Sequence, residues 1–327
     1  MTEVAVGTGV SSEEFVACFQ RLRDNICHVI RGKHDVVGLA LVCFFAEGHL
    51  LIEDVPGVGK TTIARALAAS MAGRWNRIQF TPDLLPSDVT GVSIFDQRTR
   101  EFVFHPGPVF ANIVLGDEIN RASPKTQSAL LEVMEEQRVT VDGVAHAVPR
   151  PFLVIGTQNP IDMDGTYPLP EAQLDRFLMR IEVGYPGHEA EVEVLDGRRQ
   201  RRQVENLRPV LSLEQAAALI RAAADIHIAP AVASYIVALA AATRQLPEVR
   251  LGASPRGSLA LARAARVLAA ADGRAFVTPA DVKTLAVPVL AHRVLLTTDA
   301  RIKGVTQATV VEAVAASVPV PHQLPGR

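Results

Sequence analysis

A glycine-rich turn between an apolar strand and an alanine-rich helix constrains this chain more than any other feature. The segment Pro56-Gly57-Val58-Gly59-Lys60-Thr61-Thr62 follows an apolar run at residues 49–53 and begins a helical pattern at residues 60–71. In such a turn, backbone N–H groups at a helix N-terminus surround phosphate oxygens, a lysine adds charge, and a threonine hydroxyl reaches a metal ion. The segment therefore predicts a phosphate-binding loop, although Asp54 stands where the pattern has its first glycine.

A second segment supports this prediction. Residues 113–115 form an apolar strand pattern that leads into Gly116-Asp117-Glu118, and Asp117 lies 57 residues after Lys60. A carboxylate at the end of a buried strand lies at the ligand-binding edge of a sheet. Asp117 could hold Mg²⁺, and Glu118 could activate a water molecule. The two segments together predict binding and hydrolysis of ATP.

Buried-type strands alternate with helical patterns in the first 204 residues. This alternation predicts an α/β nucleotide-binding core whose mostly parallel sheet is covered on both faces. Strands are predicted at residues 49–53, 77–80, 113–115, 152–157 and 179–183, hairpins at 92–104 and 139–148, and helices at 12–29, 36–45, 60–71 and 124–136. Gly73 is predicted to cap the helix at residues 60–71.

Helical patterns alone follow residue 205. Ser212, Ser254 and Thr278 are typical helix caps, so a small all-α domain is predicted at residues 205–317, with an irregular, proline-containing tail at 318–327. Residues 1–196 carry 16 Lys and Arg against 27 Asp and Glu, a net −11, whereas residues 197–327 carry 17 against 8, a net +9. This charge difference also indicates two units.

The basic second unit raises the question of nucleic-acid binding, because residues 198–202 contain four arginines. Its aromatic side chains are few and its arginines are spread over several helical patterns, so a solvated face or docking against an acidic neighbour is favoured.

No apolar run approaches the roughly 20 residues of a membrane span. Cys18, Cys27 and Cys43 fit small buried hydrophobes in a reducing cytoplasm.

Four longer motifs are more specific than the loop. They are Asp117-Glu118-Ile119-Asn120-Arg121-Ala122, Lys125-Thr126-Gln127-Ser128-Ala129-Leu130-Leu131-Glu132, Gly156-Thr157-Gln158-Asn159-Pro160 and Gly165-Thr166-Tyr167-Pro168-Leu169-Pro170-Glu171-Ala172-Gln173-Leu174-Asp175-Arg176-Phe177. They closely resemble the MoxR family of AAA+ ATPases, over most of residues 20–325. The resemblance implies a P-loop AAA+ core with a helical lid, ATP and Mg²⁺ as ligands, and Mg²⁺-dependent ATP hydrolysis.

The resemblance also implies roles for single residues. Lys60 would hold the β and γ phosphates, Thr61 and Asp117 the Mg²⁺, and Glu118 would polarise the attacking water. Asn159 matches the family's first sensor, which contacts the γ-phosphate or the water, although an asparagine before Pro160 also suits a turn.

Two arginines match residues that read the nucleotide. Arg176 matches the arginine that AAA+ rings insert into the neighbouring subunit's site; the alternative is a structural ion pair with Asp175 or Glu171. Arg256 matches the second sensor, which reports nucleotide state to the lid; the alternative is a helix-surface arginine. The role of Arg121 is left open. Val29 and Ile30 resemble the apolar segment that covers adenine, although such residues are commonly core.

The resemblance implies a ring, expected to be a hexamer, that uses ATP for chaperone-like assembly, maturation or activation of a protein, including metal insertion. Its expected partner carries a von Willebrand factor type A domain. The two hairpins would face the pore or a client, or would be ordinary solvated turns. Three alternatives stay open: a nucleic-acid-remodelling motor, a magnesium-chelatase-like motor subunit, and a nucleotide switch without turnover.

Overall fold

The computed structural model describes residues 9–55, 57–159, 166–185, 188 and 204–321. Pro56 of the predicted phosphate loop, the basic segment at 198–202 and residues 160–165 of the family motifs lie outside the described residues. The strands are β1 Leu50–Glu53, β2 Trp75–Gln79, β3 Gly91–Asp96, β4 Glu101–Pro106, β5 Ile113–Asp117, β6 Arg138–Val141, β7 Val144–Ala147, β8 Leu153–Gln158, β9 Met179–Ile181, β10 Val249–Leu251 and β11 Leu295–Leu296.

The four helices whose limits were predicted begin and end within two residues of those limits. The described helices are α1 Ser12–Cys27, α2 His34–Phe45, α3 Lys60–Ser70, α4 Pro86–Thr90, α5 Pro124–Glu136, α6 Glu171–Leu174, α7 Leu213–Ala224, α8 Pro230–Thr243, α9 Pro255–Ala271, α10 Pro279–Leu290, α11 Thr298–Ile302 and α12 Gln307–Ser317. Ser212, Ser254 and Thr278 cap α7, α9 and α10 by accepting a backbone N–H, as predicted.

The main sheet has the strand order β2-β5-β8-β1-β9, and every pair in it is parallel. Side chains alternate along its strands between two apolar cores. Leu50 and Ile52 of β1 belong to the core shared with α1, α2 and α3, whereas Leu51 belongs to the core shared with α5. The predicted α/β fold, with its sheet covered on both faces, is confirmed.

The predicted glycine cap of α3 is wrong by one position. The left-handed residue after this helix is Ala72, with φ of 51°, and not Gly73. The N–H of Gly73 donates to the carbonyl of Ala68 at 3.0 Å, which is the six-residue closure of a Schellman motif around Ala72. Glycine is favoured at the left-handed position but is not required there.

The predicted small helical lid is confirmed: residues 204–321 are mainly helical, and they also contain one short pair of strands that was not predicted. β10 and β11 pair antiparallel with an irregular register. These strands have three and two residues, too few to show alternation in the sequence. The helices share one apolar core with α1 and α2. Residues 318–321 contain neither helix nor strand. The limits of a separate domain at 205–317 stay a prediction.

Both predicted hairpins are present, as β3–β4 and β6–β7. Asp142 and Gly143 turn the second with φ of 51° and 79°, as an Asp-Gly turn requires. The rings of Phe104 and His146 stack at 4.0 Å between centroids and join the two hairpins. Phe102, beyond this contact, is 72% exposed. The first hairpin therefore presents apolar surface.

The three cysteines are buried free thiols, as small hydrophobes would be. Burial raises the pKa of Cys43, which fits an inert side chain. Within the described part of the chain, no helix has both the length and the apolar character that crossing a membrane requires.

Candidate active site

The carboxyl ends of three neighbouring strands bring the predicted site residues together. β1 leads into the glycine-rich loop, β5 ends at Asp117, and β8 ends directly before Asn159. Because β8 pairs in parallel with both β1 and β5, these ends meet at one edge, which we call the carboxyl edge. The charges of Asp117 and Glu118 act on the ammonium group of Lys60 at this edge.

The described part of the loop is open toward solvent. Gly57 and Gly59 have φ of 90° and 96°, and a Cβ on either would meet no atom within 4 Å. Gly59 is the N-cap of α3 and supplies no side-chain acceptor. The first N–H groups of a helix have no intrahelical partner, so those of Lys60 and Thr61 are suited to an anion. Val58 packs against the core, and Thr62 donates its N–H to the Gly59 carbonyl at 2.9 Å.

Lys60 reaches back across the loop. Its Nζ donates to the backbone carbonyl of Asp54 at 2.5 Å. Burial lowers the pKa of Lys60, while the negative charges of Asp54, Asp117 and Glu118 oppose this change. The ammonium group thus lies near these carboxylates at the loop, in a position to bind a phosphate.

Asp54, the departure from the loop pattern, has a structural explanation. Asp54 is only 8% exposed, and its carboxylate accepts three backbone N–H groups. Oδ1 accepts from Val55 at 2.7 Å, and Oδ2 accepts from Val183 at 2.8 Å and Gly184 at 2.6 Å. The carboxylate therefore ties the beginning of the loop to the chain that leaves β9.

Asp117 is held by two neighbours. The Thr157 hydroxyl donates to its Oδ1 at 2.7 Å, and Arg77 contacts its Oδ2 at 2.5 Å through Nη2. Arg77 also donates to Gln79. These contacts fix the carboxylate at the carboxyl edge and balance its charge.

Glu118 has a backbone conformation that side-chain-bearing residues rarely adopt, with φ of 56°. Such a conformation costs about 1–3 kcal/mol and commonly marks a functional position. Its N–H donates to the Thr157 hydroxyl at 2.9 Å, while its Oε2 accepts from Arg121 at 3.0 Å and Gln79 at 3.3 Å. Arg121, whose role the sequence left open, therefore contacts the predicted base directly.

The oxygen donors present fit Mg²⁺ bound together with a nucleotide. The described residues contain no cluster of three or more His, Cys, Asp or Glu that could hold a metal ion. Mg²⁺ at nucleotide sites commonly has one or two protein oxygens, with water and phosphate oxygens completing its shell. The Asp117 carboxylate at the carboxyl edge and the Thr61 hydroxyl in the first turn of α3 supply such oxygens.

The roles of Asn159, Val29 and Ile30 stay predictions. Asn159 follows β8 at the carboxyl edge, so its sensor role stays a prediction. Val29 and Ile30 are 4% and 8% exposed, and Ile30 is part of the main core. Core packing thus accounts for Ile30, and contact of either residue with adenine stays a prediction.

Arg176 and Arg256 meet at the other end of the sheet, which we call the amino edge. Arg176 precedes β9, whose first residue pairs with the first residue of β1. Its Nη2 lies 3.1 Å from Oε2 of Glu135, and Nη2 of Arg256 lies 2.6 Å from the other oxygen of the same carboxylate. The structure therefore brings these two arginines together at Glu135, at the opposite end of the sheet from Lys60 of the same chain.

The structural ion pair weighed for Arg176 exists, but with an unexpected partner. Asp175 pairs with Arg293 at 2.8 Å, and Glu171 lies 3.7 Å from Arg250. Because the side chain of Asp175 is bound by the helical unit, the ion-pair partner of Arg176 is Glu135 of α5.

Several contacts were missed from the sequence. Arg77 and Gln79 could have been found, because they occupy alternate positions on the strand that pairs with β5, with Gln79 opposite Asp117. Thr157 stands two residues before Asn159 on a central strand. No sequence signal indicates Glu135, which lies 41 and 121 residues from the two arginines that it binds.

The comparisons with known proteins agree with this geometry. The model of the ATPase family associated with various cellular activities (AAA) matches residues 49–179, and that of the AAA lid domain matches residues 241–314. The chain is 49% identical to YeaC of Bacillus subtilis, over 92% of this chain and 94% of that protein. It is 42% identical to Chaperone MoxR1 of Mycobacterium tuberculosis, over 96% of this chain and 85% of that protein.

A crystal structure of a protein from Cytophaga hutchinsonii superposes with a TM-score of 0.88 at 35% identity, covering 95% of this chain and 97% of that one. The parallel sheet, the phosphate loop and the acidic pair at the carboxyl edge define an AAA+ ATPase. Relatives named MoxR are 31–42% identical to the chain over 84–96% of its length, so the chain belongs to the MoxR family of AAA+ ATPases.

Proposed function

We propose that this protein hydrolyses ATP with Mg²⁺ in a ring of identical subunits, expected to be six, and that each site is completed by Arg176 and Arg256 of the next subunit. The observation that supports this most is the position of these arginines. They share Glu135 at the amino edge, whereas the phosphate loop lies at the carboxyl edge.

The separation of the two edges argues against action of Arg176 on its own site. β1 alone spans about 10 Å along its axis, and the loop and Arg176 lie beyond its opposite ends. Arg256 binds the same carboxylate as Arg176, so it too lies at the amino edge, away from its own loop. Both guanidinium groups are suited to the charge that develops on a phosphoryl group in a neighbouring subunit.

The residues at the carboxyl edge divide the work of hydrolysis. Lys60 and the N–H groups at the start of α3 bind the β and γ phosphates. Thr61 and Asp117 would hold Mg²⁺, which neutralises phosphate charge when bound. Glu118 accepts a proton from the attacking water, and Asn159 orients that water or the γ-phosphate. Arg121 and Gln79 both donate to Oε2 of Glu118, so the proton would be accepted by the other carboxylate oxygen.

The work done with the ATP is proposed to be chaperone-like assembly, maturation or activation of a protein. A relative over most of the chain is named Chaperone MoxR1. The partner is expected to carry a von Willebrand factor type A domain, and metal insertion is one form that the activation could take. The exposed apolar tip of the first hairpin suits contact with that client. A cytoplasmic location fits this role.

Mixed rings test the shared site. Arg176→Ala subunits keep their loop, and Lys60→Ala subunits keep their arginines, so each should be inactive alone. Mixing them should restore turnover at junctions that combine both intact halves, roughly one in four by random assortment. Arg301→Ala, at an exposed arginine of the helical unit, is the matched control and should leave turnover unchanged. Failure of the mixture despite shared assembly would contradict action between subunits.

The client is sought by arresting the cycle. Glu118→Gln should bind ATP without hydrolysing it and so hold the ring in its ATP state. A von Willebrand factor type A partner should then co-purify with this variant in ATP and be lost in Lys60→Ala, which cannot grip the phosphates. Equal recovery with both variants would contradict nucleotide-dependent binding.

A further inference from the structure

A buried guanidinium joins the helical unit to the chain beside Arg176. Arg293 follows α10, and its side chain is 3% exposed. Its Nε donates to Oδ1 of Asp175 at 2.8 Å, and its Nη2 donates to the carbonyls of Asp175 at 3.2 Å and Phe177 at 2.6 Å. Nη1 donates to the carbonyl of Leu178 at 3.2 Å. One side chain therefore binds the backbone on both sides of Arg176.

The same carboxylate reaches the second arginine. Oδ2 of Asp175 accepts from the hydroxyl of Ser254 at 2.8 Å. The Ser254 hydroxyl in turn accepts the backbone N–H of Arg256 at 3.1 Å. Asp175 thus precedes one arginine of the pair and is bound to the residue that caps the helix bearing the other.

The first turn of α9 packs directly on Arg293. A Cβ placed on Gly257 would lie 3.1 Å from Cδ of Arg293, closer than ordinary contact. Gly257 does not have a left-handed backbone, so glycine is needed here for space and not for conformation. The close approach fixes α9, and Arg256 with it, against the guanidinium.

Stability alone does not explain this arrangement. Burial lowers the pKa of Arg293, and the charge of Asp175 opposes this change. The pair therefore loses contact with water on folding. Buried ion pairs are commonly no more stabilising than apolar side chains of the same volume, but they fix geometry through their many hydrogen bonds. Here the fixed geometry is that of the two arginines at Glu135.

We propose that Asp175, Arg293 and Ser254 form a positioning clamp that holds Arg176 and Arg256 at a set distance, so that both reach the neighbouring nucleotide as one unit. This inference rests on the proposed sharing of the site between subunits. The clamp residues do not touch the nucleotide. They act through the arginines that they position.

Two substitutions loosen the clamp without removing either arginine of the pair. Arg293→Lys keeps the charge but loses the planar fork that binds several acceptors at once. Gly257→Ala removes no polar group and displaces Arg293 by a few tenths of an ångström. Arg301→Lys is the control for Arg293→Lys, because Arg301 is exposed on α11.

Steady-state ATP hydrolysis by each full-length variant, alone and mixed with Lys60→Ala subunits, tests the clamp. Misplaced catalytic groups cost on the order of 100-fold in rate. We expect kcat to fall by tens- to a hundredfold in Arg293→Lys, and by less in Gly257→Ala, with the KM for ATP unchanged. Mixing Arg293→Lys with Lys60→Ala should raise turnover toward the roughly one-in-four level of complete junctions, because Arg293→Lys keeps its own phosphate loop.

The outcomes separate the clamp from the shared site. Turnover of both variants within twofold of wild type, while Arg176→Ala is inactive and rescued by mixing, overturns the clamp and leaves the shared site standing. Loss of turnover that Lys60→Ala does not rescue, with a raised KM, shows general structural damage and also overturns the clamp. If Arg176→Ala itself is not rescued, the shared site fails and the clamp fails with it.

Discussion

The hydrogen bonds of Asp54 predict how far its replacement by alanine should lower the free energy of unfolding. Replacing Asp54 by alanine removes the acceptor for the N–H groups of Val55, Val183 and Gly184. Val183 is buried, so its N–H cannot turn to water, and Gly184 is partly buried. A buried donor without an acceptor costs about 1–3 kcal/mol. Counting Val183 and Gly184 fully and Val55 little, Asp54→Ala should lower the free energy of unfolding by about 2–6 kcal/mol.

Asp54→Asn separates hydrogen bonding from charge. The amide oxygen can still accept from Val183 and Gly184, while the amide nitrogen faces the N–H of Val55 and makes no bond there. The loss should then be about 1–2 kcal/mol, since one bond and the charge assistance of the others are removed. Asp83→Ala, at an exposed aspartate outside this network, should change stability by less than about 0.5 kcal/mol.

Urea unfolding without nucleotide measures these differences, because bound ATP would add its own binding free energy. ATP affinity, measured separately, should weaken in Asp54→Ala, since the beginning of the loop loses its attachment to the chain after β9. A loss below about 1 kcal/mol for Asp54→Ala would refute the view that this carboxylate anchors the loop.

Three further predictions concern catalysis, pH and nucleic acid. Glu118→Gln should retain ATP binding and lose hydrolysis, and unchanged turnover would exclude Glu118 as the base. Burial lowers the pKa of His49 to about 4, with its ring bonded to the carbonyl of Met134 and the N–H of Val154. The unfolded chain therefore binds the proton more readily, so stability falls as pH falls from about 6.5 toward 4, by about 2 kcal/mol at pH 5 from this group. Urea unfolding at pH 7 and 5 should show a smaller difference in His49→Gln. Gel-shift assays at moderate salt should show no DNA binding, and tight binding would favour a nucleic-acid motor.

Local signals predicted much of the fold because each is short in range. The apolar strands, the Asp-Gly hairpin and the caps Ser212, Ser254 and Thr278 depend on neighbouring residues and are confirmed. The two-stranded pair β10–β11 was missed because its partners are far apart in sequence and very short. The left-handed Ala72 was missed because glycine is favoured at such a position but is not required there.

The candidate site shows the same division. Lys60, Asp117 and Glu118 stand in motifs, and the parallel pairing of β1, β8 and β5 brings them together as predicted. The meeting of Arg176 and Arg256 at Glu135 joins three segments that are far apart in the chain through ion pairs. Such a contact depends on how the helical unit sits on the sheet, which no local pattern encodes.

If the site is shared between subunits as proposed, the opposite placement of the phosphate loop and the arginines also restricts the symmetry of the assembly. Two surfaces at opposite ends of one sheet cannot both be satisfied by a single twofold contact, which pairs a patch with itself. Head-to-tail stacking satisfies them, and it either closes by rotation or continues as a helical filament. In a closed assembly every junction is used, whereas in an open one the terminal subunit would hold nucleotide that no arginine reaches. A closed ring would therefore supply arginines to every nucleotide site, whereas an open row would leave one terminal site incomplete.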